Sequence, residues 1–327
     1  MARSRRAIAL GLLLLPLLCA SPAPAQGPTL EVQSRTGVLF GLVRELVYYG
    51  ANILSELDWR FQPVVYAGTA LKLQTSMGVS AVVDVRSAFP GRSGYMGDWD
   101  AGNYLDGDFT RTHYSQQDCY TERALLLDAR LGWVFRLGPV LTLEPFGAFG
   151  LMQLKWSARD GYLQYPTVGP PYPAWSPSLP KVPVSGTAII YEQTYLIPGA
   201  GFSVGAVVGR RFHGELRFLF SPFLFCNDLD NHVQRAGFGE AADVDFHDYL
   251  RGGFLIEPGL RLGLQVSPRA RLSLDLSYRG VFALIGDTAK VLAGPGLTPG
   301  EIDEMYSDGA GTTYSALDAC LALSLSL

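Results

Sequence analysis

Beyond residue 26 the chain has no apolar run of about 18 residues, so no helix is expected to cross a membrane. Cysteine is scarce, 4 in 327 residues, and only Cys119, Cys226 and Cys320 follow Cys19. Three thiols cannot all pair, so at least one stays free or bonds to another molecule, and a bridge between Cys119 and Cys226 near the expected rims is left open. Histidine is equally rare, at 4 residues. There is no H-E-x-x-H, no zinc-type Cys/His spacing and no phosphate-binding loop, which removes the common metalloprotease, zinc-module and nucleotide-binding readings. Amphipathic helical periods are hard to find. Basic charge is also short, with Lys+Arg 26 against Asp+Glu 30.

What is present begins with a leader. Arg3, Arg5 and Arg6 form a basic region, Ala7 to Leu18 an apolar stretch too short to span a bilayer, and Ala23-Pro24-Ala25 a small-x-small cleavage site. Residues 1–25 therefore read as a signal peptide and 26–327 as a single domain. Loss of the three arginines leaves 23 basic against 30 acidic residues, a net charge of −7. An acidic exported chain is a poor partner for nucleic acid and a reasonable receptor for basic ligands.

The 37 glycines, 12% aromatics and positive mean hydropathy suit strands rather than helices. In 125–137 the odd positions are Leu125, Leu127, Ala129, Leu131, Trp133, Phe135 and Leu137, while Asp128, Arg130 and Arg136 stand at even ones. The segments 271–279 and 317–327 alternate in the same way. Successive side chains of a strand point to opposite faces, so one face meets lipid and the other a lumen. The expected fold is all-β: a ten-stranded antiparallel transmembrane β-barrel with long extracellular loops. The strands are expected near 30–47, 55–71, 75–89, 119–137, 140–156, 188–208, 211–225, 247–266, 270–284 and 313–327. Short turns alternate with long loops at 90–118, 157–187, 226–246 and 285–312. The loop 157–187 carries seven prolines and is expected to be extended rather than sheet-forming. A ten-stranded barrel is narrow, with a lumen filled by side chains.

Two acidic constellations carry candidate chemistry. Asp228, Asp230 and His232 are spaced i, i+2, i+4 and share one face of an extended strand. A carboxylate beside an imidazole fixes its tautomer and raises its basicity, making a general base for water. Their parity is awkward, because even positions of 212–220 look lipid-facing; a bulge at Ser221-Pro222, or a segment above the membrane, would resolve this. The alternative is a solvated acidic loop with a surface histidine. Asp98 and Asp100 form a second pair suited to polarising a water or a carbonyl. A calcium loop starting at Asp98 is discounted, since Asn103 and Phe109 stand where glycine and a bidentate glutamate are needed. Gly201-Phe202-Ser203-Val204-Gly205 matches G-x-S-x-G, but it falls inside an expected strand and not at a strand-turn-helix elbow. His113 shares the first long loop and could line a cleft, His213 falls at a turn, and His247 is undecided.

Several pieces then follow one another in a known order: Arg44-Glu45-Leu46-Val47-Tyr48, Ser55-Glu56-Leu57-Asp58-Trp59, Gly94 to Asp100, Trp156-Ser157-Ala158-Arg159, Tyr191-Glu192-Gln193 with Pro198, and Phe212 through Asp228-Leu229-Asp230-Asn231-His232. In these the chain resembles the omptins, outer-membrane endopeptidases, over essentially its whole length after the leader. The resemblance implies a bacterial outer-membrane location with the active site on the extracellular side. It implies a catalytic dyad of Asp230 and His232 facing a couple of Asp98 and Asp100, a water as nucleophile, and no metal. It implies that Glu45 and Asp228 form the acidic pocket for a basic side chain, so that the partners are polypeptides with Arg or Lys. No cofactor is expected beyond lipopolysaccharide or another outer-membrane lipid as activator. The stretch Phe149-Gly150-Leu151-Met152-Gln153 departs from the family by lacking its basic and acidic lipid-gripping pattern, and the proline-rich loop and rim cysteines also differ. Two other readings stand beside this one: an omptin-like adhesin or invasin with little or no proteolysis, and a small structural or transport barrel that would conduct ions.

Overall fold

A computed structural model describes residues 27–209, 211–233, 243–293 and 302–327. The expected leader, 1–25, lies outside the described residues. The described chain forms ten antiparallel staves. These are β1 (Thr29–Tyr49), β2 (Asn52–Gln74), β3 in two pieces (Val79–Ala88 and Gly91–Asp100), β4 (His113–Trp133), β5 (Leu141–Gln164), β6 (Thr187–Val208), β7 in two pieces (Phe212–Ser221 and Leu224–His232), β8 (Asp243–Ser267), β9 (Ala270–Ala293) and β10 (Ile302–Ser326). Each pairs with its chain neighbours, and β10 returns to β1 in register from Glu31↔Ser326 to Val47↔Ala310. The cylinder is closed, so no strand edge is left unpaired, as a lipid environment demands.

The unbroken staves are long, from 21 residues in β1 to 25 in β8 and β10. A tilted strand crosses a bilayer in about 9–11 residues, so roughly half of the barrel stands clear of the apolar layer. That explains where the expected boundaries fell short. Gly91–Asp100 and the start of β4 are strand, although 90–118 reads as loop. β7 continues to His232 and β9 to Ala293. Above the membrane no leucine-rich outer face is required, so the alternation that reveals the lower strands fades.

The period of two is deliberately broken around the wall. In lower β7 the inward residues are odd, ending at buried Leu219 and Ser221; in upper β7 they are even, Leu224, Cys226, Asp228 and Asp230. The switch lies at Ser221-Pro222-Phe223, where the Ser221 hydroxyl is within hydrogen-bond distance of the carbonyls of both Pro198 and Phe223, at 2.5 and 2.6 Å. This is the bulge that the parity of 228–232 required. Adjacent β8 makes the same switch at Gly252-Gly253, both at positive φ (87° and 58°), the left-handed region that favours glycine. β2 switches at Gln62-Pro63, β4 around Thr121–Arg123 and β9 around Phe282-Ala283. Below this belt the outer wall shows Leu71, Val83, Leu131, Phe202, Leu216, Leu274 and Leu321, all exposed. An apolar surface that continuous belongs against lipid.

Below the belt the lumen is filled by ion pairs. Arg35 joins Asp84 and Asp275, Arg86 joins Asp128 and Asp318, and Arg279 joins Asp128 and Glu257. The guanidinium of Arg261 grips Asp275 with two bonds of 2.7 Å. The cavity left among them is about 40 Å³. Above this network lies an aromatic layer: Trp59 stacks on Tyr191 at 5.4 Å, Phe61 on Trp156 at 6.1 Å, and Tyr195 meets Tyr314 at 6.4 Å. The proline-rich segment after β5 stays almost wholly out of the sheet, as its composition implies. It straps the outside wall, where Asn103 clasps the Tyr172 backbone with two 2.7 Å bonds and Trp175 packs edge-on against Trp99. Only Val182–Pro183 joins the sheet. Cys119, Cys226 and Cys320 are free and buried inside the wall, so no bridge links β4 to β7.

Two outcomes follow from a lumen filled this way. Reconstituted in a planar bilayer, the protein should show no steady ionic conductance, whereas a stable open level would contradict the plug. Arg279→Met should leave Asp128 and Glu257 under-compensated and cost ~3–5 kcal/mol of stability, read as an earlier loss of the compact, heat-modifiable band on unheated gels.

Candidate active site

Above the aromatic layer the inner wall carries a cluster of buried acids. β7 brings Asp228, Asp230 and His232 to its inner face, as their even spacing requires once the belt has reset the parity. His232 Nε2 lies 2.6 Å from Asp230 Oδ2. Asp230 is almost wholly buried, and the His232 ring is held edge-on against Phe246 of β8 at 5.7 Å. With Nε2 bound to the carboxylate, the basic site of the neutral ring is Nδ1.

Glu45 reaches the same cluster from β1. It is 2% exposed, and its carboxylate accepts a 3.1 Å bond from the Trp59 indole. Burial pushes its pKa well up, reinforced by the charges of Asp230, Asp228 and Asp248. Asp228 is likewise raised, first by burial and then by Asp248 beside it. A hydrogen-bonded chain orients it: Tyr195 donates to Gln193 at 2.9 Å, Gln193 to Tyr191 at 2.9 Å, and Tyr191 to Asp228 Oδ2 at 2.9 Å. Gln193 also donates to Thr312 of β10 at 3.1 Å, tying the chain across the barrel. The lumen acids below the belt named above each have an arginine. Among the described residues, Glu45, Asp228 and Asp248 have no cationic partner.

Asp98 and Asp100 lie on upper β3, and third and seventh staves of ten stand on opposite walls. Asp98 Oδ1 accepts a 3.1 Å bond from Ser55, and Asp100 sits directly opposite His113 across the β3–β4 ladder. His113 lines this wall between the rings of Tyr165 and Tyr172, and burial lowers its pKa. The fold thus sets Asp228, Asp230 and His232 on the β7 wall, brings Glu45 toward them from β1 across the lumen, and places Asp98 and Asp100 on β3. Ser203 of the G-x-S-x-G match is buried in mid-strand β6, with no turn or helix to expose it. His213 is at the lower end of the barrel and His247 pairs with Leu229 on the outer side of β8.

Sequence reading missed Asp248. It is directly opposite Asp228 in the β7–β8 ladder and 5% exposed. Its even position relative to Leu250 was a usable sign that it faces inward, but the β7–β8 register is set by the sheet and cannot be read from the sequence between them.

The model of the Omptin family matches residues 27–327. No curated protein sequence matches the chain. Among solved structures, outer membrane protease OmpT from Escherichia coli superposes with a TM-score of 0.80 at 18% identity, covering 94% of this chain and 98% of that one. The translocator domain of autotransporter NalP from Neisseria meningitidis gives 0.36 at 10% identity, covering 99% and 97%. The first shares the fold, while the second is too distant to carry an argument. A family match over the whole described barrel, together with the shared fold, makes this chain a member of the omptin family of outer-membrane proteases.

Proposed function

We propose that the protein is an endopeptidase of the bacterial outer membrane that cleaves beside Arg or Lys, with its cleft facing the cell exterior. The observation that carries this reading is the 2.6 Å Asp230–His232 bond on an inner wall whose buried acids have no cation of their own among the described residues. A bound water gives a proton to His232 as its oxygen attacks the scissile carbonyl. Asp230 stabilises the imidazolium, which returns the proton to the leaving amine. Asp98 and Asp100 on the facing wall hold and polarise the water, and no covalent intermediate forms. Glu45 and Asp228 receive the basic side chain of the substrate, and burial makes their charge count for more than it would in water. General-base catalysis of this kind contributes ~10²–10⁴-fold.

Lipopolysaccharide or another outer-membrane lipid is proposed as activator. Support for it comes from the outer wall just above the apolar band, where Lys155 and Arg123 share Glu192 and Arg159 meets Glu122. The stretch 149–153 below turns exposed Phe149 and the side chains of Leu151 and Gln153 outward, so anionic head groups would meet the higher cations instead.

The test is cleavage of a quenched peptide containing Arg-Arg by the folded barrel, with and without lipopolysaccharide. Wild type should cut at the dibasic site, and Asp230→Asn or His232→Ala should lose at least ~10²-fold in kcat. A folded barrel that leaves the peptide intact under both lipid conditions would favour an adhesin or invasin. Lipid should raise the rate severalfold, and substituting Lys155 and Arg123 together with serine should blunt that response. An equal rate in both lipid conditions would remove the activator.

A further inference from the structure

The pair Asp228–Asp248 is the feature of the cleft that the acid pocket of Glu45 and Asp228 alone does not explain. The two residues are directly opposite each other in the β7–β8 ladder, both turned inward, and 6% and 5% exposed. Residues directly opposite in an antiparallel ladder have Cβ atoms about 4.5–5.5 Å apart, so the two carboxyl groups adjoin. Asp228 Oδ2 is already engaged by Tyr191, whereas Asp228 Oδ1 and Asp248 Oδ1 are buried and meet no donor. The groups facing Asp248 are Thr288 of β9, Asp228, Asp230 and Cys226 of β7, and Glu45 of β1, with Tyr191 of β6 beyond Asp228. None of these is a cation.

Two carboxyls this close and this dry do not both ionise, so at rest the pair shares one proton. That proton occupies the place a cation would take. An incoming guanidinium offers several coplanar N–H donors and a full positive charge, enough to satisfy both free oxygens at once. An ammonium supplies the charge without the planar fork.

Building on the endopeptidase reading above, we propose that Asp248 is a specificity-determining residue that forms, with Asp228, a two-carboxylate clamp for the guanidinium of a substrate arginine, and that binding releases the shared proton to solvent. The sign of the pH effect follows from linkage. Burial lifts the Asp248 carboxyl to about 6 and raises Asp228 as well, so the cation has fewer protons to displace as pH rises through this region. Affinity for an arginine side chain therefore rises with pH through this region. Lysine binds less tightly because it bridges the pair poorly.

The experiment has two arms, each run on wild type and on near-isosteric Asp248→Asn. In the first, KM and kcat are measured from pH 5 to 8 for peptides with Arg, Lys or citrulline before the cut. Wild-type KM for the Arg peptide should fall as pH rises through about 6. In Asp248→Asn that slope should flatten, and KM for Arg should rise roughly 10- to 100-fold, the size of a lost charge-assisted hydrogen bond. The Arg-over-Lys preference should narrow, and the change should fall on KM rather than kcat. His232 acts on kcat and is common to both proteins. In the second arm, calorimetric binding of agmatine at pH 6 is compared in two buffers of different ionisation enthalpy. Wild type should release more protons per agmatine bound than Asp248→Asn does. Peptide cleavage with an unchanged KM–pH profile in Asp248→Asn, or agmatine binding without proton release, overturns the clamp. Proton-coupled agmatine binding by a barrel that cuts none of the peptides would keep the clamp and remove the endopeptidase reading.

Discussion

The constraint on which the rest of the structure depends is the two-residue period of a β-strand. A strand that turns leucine to lipid on one parity turns every other residue to the lumen, and a one-residue slip exchanges the two sets. The lower barrel needs its large apolar residues outside. The upper barrel needs Asp228, Asp230 and Asp248 inside. Along β7 and β8 those demands fall on opposite parities, and the belt at Ser221-Pro222-Phe223 and Gly252-Gly253 reconciles them. Straightening either strand would move the acids to the outer wall.

The belt also separates two dielectric situations. Below it, each inward carboxylate of the network has an arginine, because uncompensated charges inside a narrow lumen surrounded by lipid would be very costly. Above it, the aromatic layer of Trp59, Phe61, Trp156, Tyr191, Tyr195 and Tyr314 caps the lower lumen and forms the floor on which Glu45 and Asp228 rest. The floor carries its own polar handles. The Trp59 indole and the Tyr191 hydroxyl are the donors that fix Glu45 and Asp228. Among the described residues these acids have no cationic partner, and the cost of gathering them is one reason they hold protons more tightly than free carboxylic acids do.

Much of this was legible in the residues. Alternation in 125–137, 271–279 and 317–327 announced a barrel because those staves face lipid directly. The i, i+2, i+4 spacing of Asp228, Asp230 and His232 placed them on one face, and their conflict with 212–220 located the bulge at Ser221-Pro222. The upper half of β3 was misread as loop because Gly94 to Asp100 is glycine-rich and polar, and its pairing with β2 and β4 is decided by partners distant in sequence. Asp248 went unread for the same reason.

The sequence by itself determined the strand class, the closed all-β barrel, the approximate stave number and the shared face of Asp228, Asp230 and His232, since these follow from local alternation and from short spacings along single strands, whereas Glu45 was reached only through the family resemblance. Only the tertiary structure decided which residue faces which across the sheet: Asp248 against Asp228, Trp59 beneath Glu45, Gln193 bridging to Thr312, and three cysteines held apart inside the wall. The physical reason is that register between strands is fixed by bulges and by the closure of the whole cylinder, and no segment of the chain contains that information alone.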